Sequence, residues 1–482
     1  MGEQRTIFRS EDWWSVWIGL FIFLVGLGPL LGKDLLGWAV EPRMWMSVTE
    51  SLGPVSKTYA TLSPILSLLG TYAAVLALFA IGAAVLGLNL RKFLYGFTVI
   101  FFLTYVCYVL GNYAYIAANR PADLEKFKIA WSLKLTGEAG LILALLAGLS
   151  IGNFLPRFAE SLREATRPEW FIKSAIVILG AGLGVKAAEQ LGLAKAVMFR
   201  GLCAIVEAYL IYWALVYLLA RSVFKFSREW AAPLASGISI CGVSAAIATG
   251  AAIRARPVVP IMVSSLVVIF AVVELVFLPF LAAAVLPNEP MVAGAWMGLA
   301  VKTDGAAVAS GQIAESLIYA KNAAQGVTFE KGWILNTATT VKVFIDVFIG
   351  IWAFILAVIW TTRIDPKPGE KVRAREIWDR FPKFVIGYFL TFLIMLIIVL
   401  AWPALKDSAR SAGGGVDVFR KLFFALTFFS IGLVSNFRKL WEEGIGRLAV
   451  VYLISLFGFI IWIGLFISWL FFHGVKPPVV GA

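Results

Sequence analysis

What most constrains this chain is a series of apolar stretches, each long enough to cross a bilayer. A spanning helix needs about 20 apolar residues, since each adds about 1.5 Å along a hydrocarbon core about 30 Å thick. Candidates are Trp13–Leu31, Ser63–Leu88, Phe93–Tyr115, Gly137–Leu155, Phe171–Val185, Met198–Leu219, Pro257–Leu286, Ile334–Trp360, Phe384–Ala404, Val418–Leu433 and Leu448–Phe472. Backbone at that depth has no water to bond, so the stretches should be helical. Of 482 residues 60% are apolar and 15% charged, where soluble domains carry about 45–50% and about 25%. Lipid, not water, solvates the outer face. The expected fold class is an all-α polytopic membrane protein with about 11–13 membrane segments.

The upper end of that range depends on Ala231–Ile253 and Met291–Gln312, which are apolar but rich in Gly, Ala and Ser. They either cross as broken helices or re-enter as hairpins, and both fates stay open. Arg254 and Arg256 follow the first, whereas Pro287–Pro290 before the second has no cation.

Lys and Arg number 42 against 29 acids, a net charge of +13. The cations sit mostly in short loops between apolar stretches, which is the positive-inside pattern and not a nucleic-acid surface. A positive field also suits an anionic ligand. Arg363, Lys367, Lys371, Arg373, Arg375, Arg380 and Lys383 crowd one connection, which places it in the cytoplasm. Counting from there puts the N-terminus in the cytoplasm and the C-terminus outside. The first span is entered through Glu11, Asp12, Trp13 and Trp14 and lacks a small-residue cleavage site, so it is not expected to be removed. Cys107, Cys203 and Cys241 give no disulfide framework, and His473 is the only histidine. Neither a metal centre built on several histidines nor a Ser–His catalyst is available; no enzyme, metal or cofactor is expected.

Gly182-Leu183-Gly184-Val185-Lys186 closes one span and Gly432-Leu433-Val434-Ser435-Asn436 another. Glu189, Gln190, Leu191 and Gly192 follow the first; Arg438, Lys439, Leu440 and Gly444 follow the second. The two helices run oppositely in the topology above. That pattern suggests an inverted repeat, about 137–219 echoed by 384–472, as in many secondary transporters. Residues 1–90, with two spans, then read as an extension to a core over 91–482.

The run Ser236-Gly237-Ile238-Ser239-Ile240-Cys241-Gly242-Val243-Ser244-Ala245-Ala246 is the least helix-like apolar stretch. A break there frees N–H groups which, with the Ser239 and Ser244 hydroxyls, could hold an anion. Close packing through small residues explains the same run without a ligand. Charges at membrane depth are functional candidates. Lys302 and Asp304 would diverge on a regular helix but could converge if the chain unwinds around Gly305, with Asp304 fixing the lysine. Lys342 and Asp346, four apart, either neutralise each other or open during a cycle. Glu207 and Glu274 are lone acids in long spans, each able to carry a proton or to be bonded quietly. Lys173 and Glu138, near span ends, are expected to reach the interface. Cys241 reads as a small core residue.

Ser239-Ile240-Cys241-Gly242-Val243-Ser244-Ala245 resembles a signature of the YeiH-like family of bacterial membrane proteins, named for sulfate export. The resemblance runs from about Leu90 to Phe472 and includes Gly148-Leu149-Ser150-Ile151-Gly152-Asn153 and the two Gly-Leu phrases. It implies a secondary transporter of the bacterial inner membrane, with interrupted helices at the midplane. Lys302 stands where the family tends to have His, in Val301-Lys302-Thr303-Asp304-Gly305; Lys342 matches a family Lys, and the family's neighbouring Arg has no match. The leading expectation is an ion-coupled transporter of sulfate or a related sulfur-containing anion. Ser239, Cys241, Gly242, Ser244, Lys302, Thr303, Asp304 and Lys342 would bind it. Asp304, Asp346, Glu207 or Glu274 would couple it to a proton or Na⁺. A cation/proton antiporter using Asp304 and Lys302 is the alternative, and a channel or non-transporting scaffold lies in another class. A homodimer is expected only by analogy with such folds.

Overall fold

The computed structural model describes residues 10–118, 121–133, 139–256, 258–365, 378, 381–435 and 446–480. Glu138, Lys367, Lys371, Arg373, Arg375, Arg380 and the Asn436–Gly444 stretch of the repeated phrase lie outside them. The fold is helical, with one short antiparallel pair, β1 (Val40–Pro42) and β2 (Leu52–Pro54).

Fifteen helices carry the architecture. The first five are α1 (Glu11–Gly26), α2 (Pro64–Val85), α3 (Leu90–Gly111), α4 (Ala139–Phe154) and α5 (Pro168–Glu189). Next come α6 (Leu191–Val223), α7 (Arg228–Ser239), α8 (Gly242–Ala252), α9 (Val258–Val285) and α10 (Pro290–Ala300). The last are α11 (Asp304–Ala323), α12 (Trp333–Ile364), α13 (Phe384–Ala401), α14 (Lys406–Val434) and α15 (Gly446–Phe472). Their starts follow local rules. Ser10 and Asn89 side chains accept from Trp13 and Lys92 N–H groups, and Pro64, Pro168 and Pro290 occupy first turns, where no N–H is needed.

The chain divides into two compact units. One contains residues 1–195, 319–327 and 383–434; the other contains 196–318, 328–382 and 435–482.

In the first unit α4 lies along α14, and α5 along α13, each pair running parallel. Glycines make this approach possible. A Cβ on Gly148 would strike the Phe429 carbonyl oxygen, and one on Gly184 the Phe392 carbonyl oxygen. Residues 1–90 are built into this unit. Lys173 of α5 bonds Asp12 of α1 at 2.8 Å and lies 3.7 Å from Glu169, and is buried instead of reaching the interface freely. Phe79 of α2 packs edge-on against Trp170, Phe171 and Phe423. Helix α14 begins at Lys406, twelve residues before the expected Val418. Gly413–Gly415 and four charges hide its first half from an apolar scan, and those charges are partnered. Arg410 and Lys406 pair with Glu189 of α5 (2.6 and 3.8 Å), Asp407 lies 3.9 Å from Arg410, and Asp417 bonds Arg420 at 2.5 Å; farther on, Lys421 bonds Glu41 of β1 at 3.0 Å.

The second unit decides the fate of the two small-residue segments. Arg256, after α8, bonds Glu229 at the start of α7 through its N–H (2.7 Å) and its guanidinium (3.0 Å). Further in, Thr249 donates to Ser236 at 2.7 Å. Helices α7 and α8 are therefore antiparallel, with their outer ends together. For α10 and α11, helix α12 serves as a ruler. Gly294 and Gly298 of α10 meet Ile334 and Ala338, whereas Asp304, Gly311 and Glu315 of α11 meet Lys342, Ala338 and Ile334. So α10 runs with α12 and α11 runs back. Helices α7, α8 and α10 have 11 or 12 residues, about 16–18 Å, half the hydrocarbon thickness. Both segments fold back as hairpins. The break in the second falls at 301–303, not around Gly305, which is already helical.

Candidate functional site

The two hairpin tips meet. Ile240 and the extended Cys241 separate α7 from α8, and Val301–Thr303 separate α10 from α11. The Gly242 N–H donates to the Lys302 carbonyl at 2.8 Å, joining the tips through backbone. Residue 242 has no room for a side chain, since a Cβ would lie 2.5 Å from Val267 and 3.1 Å from Thr303. Thr303 caps α11, its hydroxyl accepting from the Ala306 N–H.

Lys342, from α12, closes the junction. Its ammonium donates to the Ile240 carbonyl at 2.7 Å and the Lys302 carbonyl at 3.4 Å, one from each tip. Asp304 lies 3.6 Å from it and Asp346 3.8 Å, and the Cys241 thiol donates to Asp304 at 2.8 Å. All these side chains are at most 3% exposed. Donor atoms of Cys241, Asp304 and Asp346 lie within 4.8 Å of one another, and a tethered ammonium is the cation among them. Break-point carbonyls that no helix satisfies thus find a partner, as buried backbone must.

Lys302 turns away from this junction. Its ammonium donates to the Leu299 carbonyl and sits 4.4 Å from the Tyr212 ring centroid, a cation–π arrangement. Asp304 therefore pairs with Lys342 and not with Lys302, contrary to the convergence expected from an unwound stretch around Gly305. Glu274 of α9 holds the second tip from behind, accepting from the Lys302 N–H (3.0 Å) and the Tyr452 hydroxyl (2.6 Å). Glu207 of α6 is fully buried, and neither carboxylate oxygen has a hydrogen-bond partner. It opens a π-helical turn, Glu207–Tyr212, whose Tyr212 hydroxyl donates to Ile460 in a second π turn, Leu456–Ile460, in α15. Such turns recur at functional sites. Ser239 ends α7 with a buried, unbonded hydroxyl, and Ser244 is half-buried on α8.

The junction thus unites Cys241, Gly242, Lys302, Thr303, Asp304, Lys342 and Asp346, with Glu274 and Glu207 behind it. The sequence reading missed Tyr212, Tyr452 and Glu315. Glu315 accepts from the Gly332, Ile334 and Leu335 N–H groups (2.6, 3.0 and 3.2 Å) and so caps the helix bearing Lys342. A carboxylate about three turns into α11 was its only sign.

A family model described as Conserved hypothetical protein 698 matches residues 99–450. A UPF0324 membrane protein of Nitrosomonas europaea is 43% identical over 98% of this chain and 97% of its own length. One from Rhodopirellula baltica is 30% identical over 74% of this chain and 59% of its own. An uncharacterized protein of Archaeoglobus fulgidus is 54% identical over 30% of this chain and 88% of its own. No solved structure matches. These matches agree with the resemblance carried by Ser239–Ala245: the chain belongs to the Conserved hypothetical protein 698 family, the UPF0324 membrane proteins.

Proposed function

We propose that the chain is an ion-coupled secondary transporter of a small anion, sulfate or a related sulfur-containing anion. The observation that carries the proposal is Lys342, whose ammonium bonds one carbonyl from each hairpin tip at the centre of a buried charge cluster. Two half-membrane hairpins whose tips share one ammonium can loosen when that ammonium changes partner, which is what alternating access requires.

The charges supply a coupling rule. Asp304 and Asp346 flank Lys342, so an incoming anion would meet two like charges in a medium that screens them poorly. Neutralising one carboxylate with a proton leaves the ammonium to the anion. Anion entry then requires a proton on the same face, which is symport. Around the tips four carboxylates (Asp304, Asp346, Glu207, Glu274) face two lysines, and that excess favours a second reading, a cation/proton antiporter in which a cation replaces the Lys342 ammonium. Glycine-lined parallel packing of α4 on α14 and α5 on α13, and π turns in both α6 and α15, support the inverted repeat of 137–219 and 384–472. With both segments re-entrant, the basic connections favour an N-terminus in the cytoplasm of a bacterial inner membrane and a C-terminus outside.

A thermal-shift screen against sulfate, sulfite, thiosulfate, taurine, Na⁺, K⁺ and Li⁺ tests the choice. Anions should raise the melting temperature, more so in acidic buffer, because a ligand that prefers the folded state stabilises it. Stabilisation by one cation alone would transfer the assignment to antiport.

A further inference from the structure

Buried polar groups without partners are rare, and each calls for an explanation. Glu207 is the sharpest case here, because both oxygens lack a hydrogen bond and the residue has no exposed surface. Its surroundings are specific. From its own helix it is faced by the Tyr212 phenol and the Cys203 thiol, and from the second hairpin by the Lys302 ammonium. Helix α15 faces it with Gly464. A Cβ there would stand 2.6 Å from the Tyr212 hydroxyl and 3.4 Å from a Glu207 oxygen. The one hydroxyl at hand, Tyr212, adjoins the carboxylate but donates its hydrogen to the Ile460 carbonyl at 2.7 Å, so toward Glu207 it can only accept. Among the described residues no carboxylate is in ion-pair contact with Lys302, whose ammonium rests on the Leu299 carbonyl and the Tyr212 ring.

An ionised carboxylate sealed without a partner is costly, and an ammonium nearby that leaves it unpaired makes little sense beside an anion. Beside a neutral carboxyl group the same arrangement is reasonable. We propose that Glu207 is a proton-binding site separate from the Lys342 junction, and that the second hairpin reads its charge through Lys302. With the proton bound, the ammonium stays on the Leu299 carbonyl, at the last turn of α10. When the proton leaves to bulk water, the carboxylate draws the ammonium across the Tyr212 ring. Lys302 is itself the tip, and its backbone carries the Gly242 and Glu274 contacts, so the pull is delivered where the hairpins join. This role in a cycle rests on the transport reading; the protonation of Glu207 does not.

Infrared difference spectra of the purified protein, recorded between acidic and alkaline buffer without substrate, test the proposal. A carbonyl stretch from a neutral buried carboxyl group should appear in the parent and be absent in Glu207→Gln, which keeps the side chain's shape. In Lys302→Met the band should remain while the pH at which it disappears moves. A band unchanged in Glu207→Gln overturns the site, and an unmoved midpoint in Lys302→Met overturns the reading by the hairpin. Should Glu207→Gln fail to fold, carboxyl ¹³C labelling of glutamate in the unsubstituted chain must displace the band, and a band that stays put rejects Glu207. None of these readouts needs transport. Loss of the band and loss of flux are therefore separate failures.

Discussion

Replacing Lys342 by Met removes the ammonium at the hairpin junction while keeping most of the apolar stem. Two carbonyls at 2.7 and 3.4 Å lose their donor, and carboxylates at 3.6 and 3.8 Å lose their counter-charge, all of them out of solvent. Breaking a buried ion pair from one side costs about 3–5 kcal/mol, because the remaining charge stays buried without compensation. The penalty should shrink when the stranded charges go too. Lys342→Met with Asp304→Asn and Asp346→Asn should recover much of the loss, a non-additivity expected of residues in one network. The assay is denaturant unfolding in micelles followed by fluorescence of the 18 tryptophans. If Lys342→Met unfolds with the parent, or the triple variant is no more stable than the single one, the junction is not held by this ammonium. Should the single variant not accumulate, the triple variant's recovery alone decides.

Other consequences follow from the packing. Gly148→Ala should cost about 1–3 kcal/mol by driving α4 from α14, while Gly182→Ala, which meets nothing within 4 Å, should leave the melting temperature unchanged. Equal effects would contradict the helix pairing. Glu315→Ala strands three N–H groups at the start of α12 and should cost about 1–3 kcal/mol in the same assay, an order of loss that no surface glutamate would show. In a chain freed of its native cysteines, single cysteines at 229 and 256 should react with a membrane-impermeant maleimide from one face, and those at 289 and 331 from the other. Labelling of 229 and 256 from opposite faces would mean that α7 and α8 cross.

The spans were legible because an apolar run of about 20 residues has one stable fate in lipid. Helix α14 was half-hidden because Lys406, Asp407, Arg410 and Asp417 lie in its first half, and the pairing of Lys406 and Arg410 with Glu189 is one that no window along the chain can see. The breaks at Ile240–Cys241 and 301–303 were announced by Gly242 and by the charges around Thr303. Whether those segments crossed or returned was not, because half-helices of 11 residues look alike in both cases; the Glu229–Arg256 contact settled the first. Lys302, Asp304, Lys342 and Asp346 were singled out by charge at membrane depth; Lys342 and Asp346 do pair, but Asp304 was given the wrong lysine. Unwinding expected around Gly305 placed Asp304 with Lys302, whereas the turn at 301–303 sends the lysine back to Leu299 and leaves Asp304 to Lys342. Tyr212 and Tyr452 were invisible as site residues, since a mid-span tyrosine shows a functional hydroxyl only when its acceptor is known.

The central claim is that the tip junction moves an anion together with a proton. Its most direct test is flux in proteoliposomes bearing the parent, Lys342→Met or Asp304→Asn, loaded with a pH-sensitive dye and given an anion gradient. The parent should show saturable, anion-driven proton movement, and an imposed pH gradient should in turn drive labelled anion uphill. Both variants should lose that coupling while still eluting as single species. Proton movement that ignores every anion, anion flux that rises linearly without saturation, or variants that transport like the parent would contradict the claim.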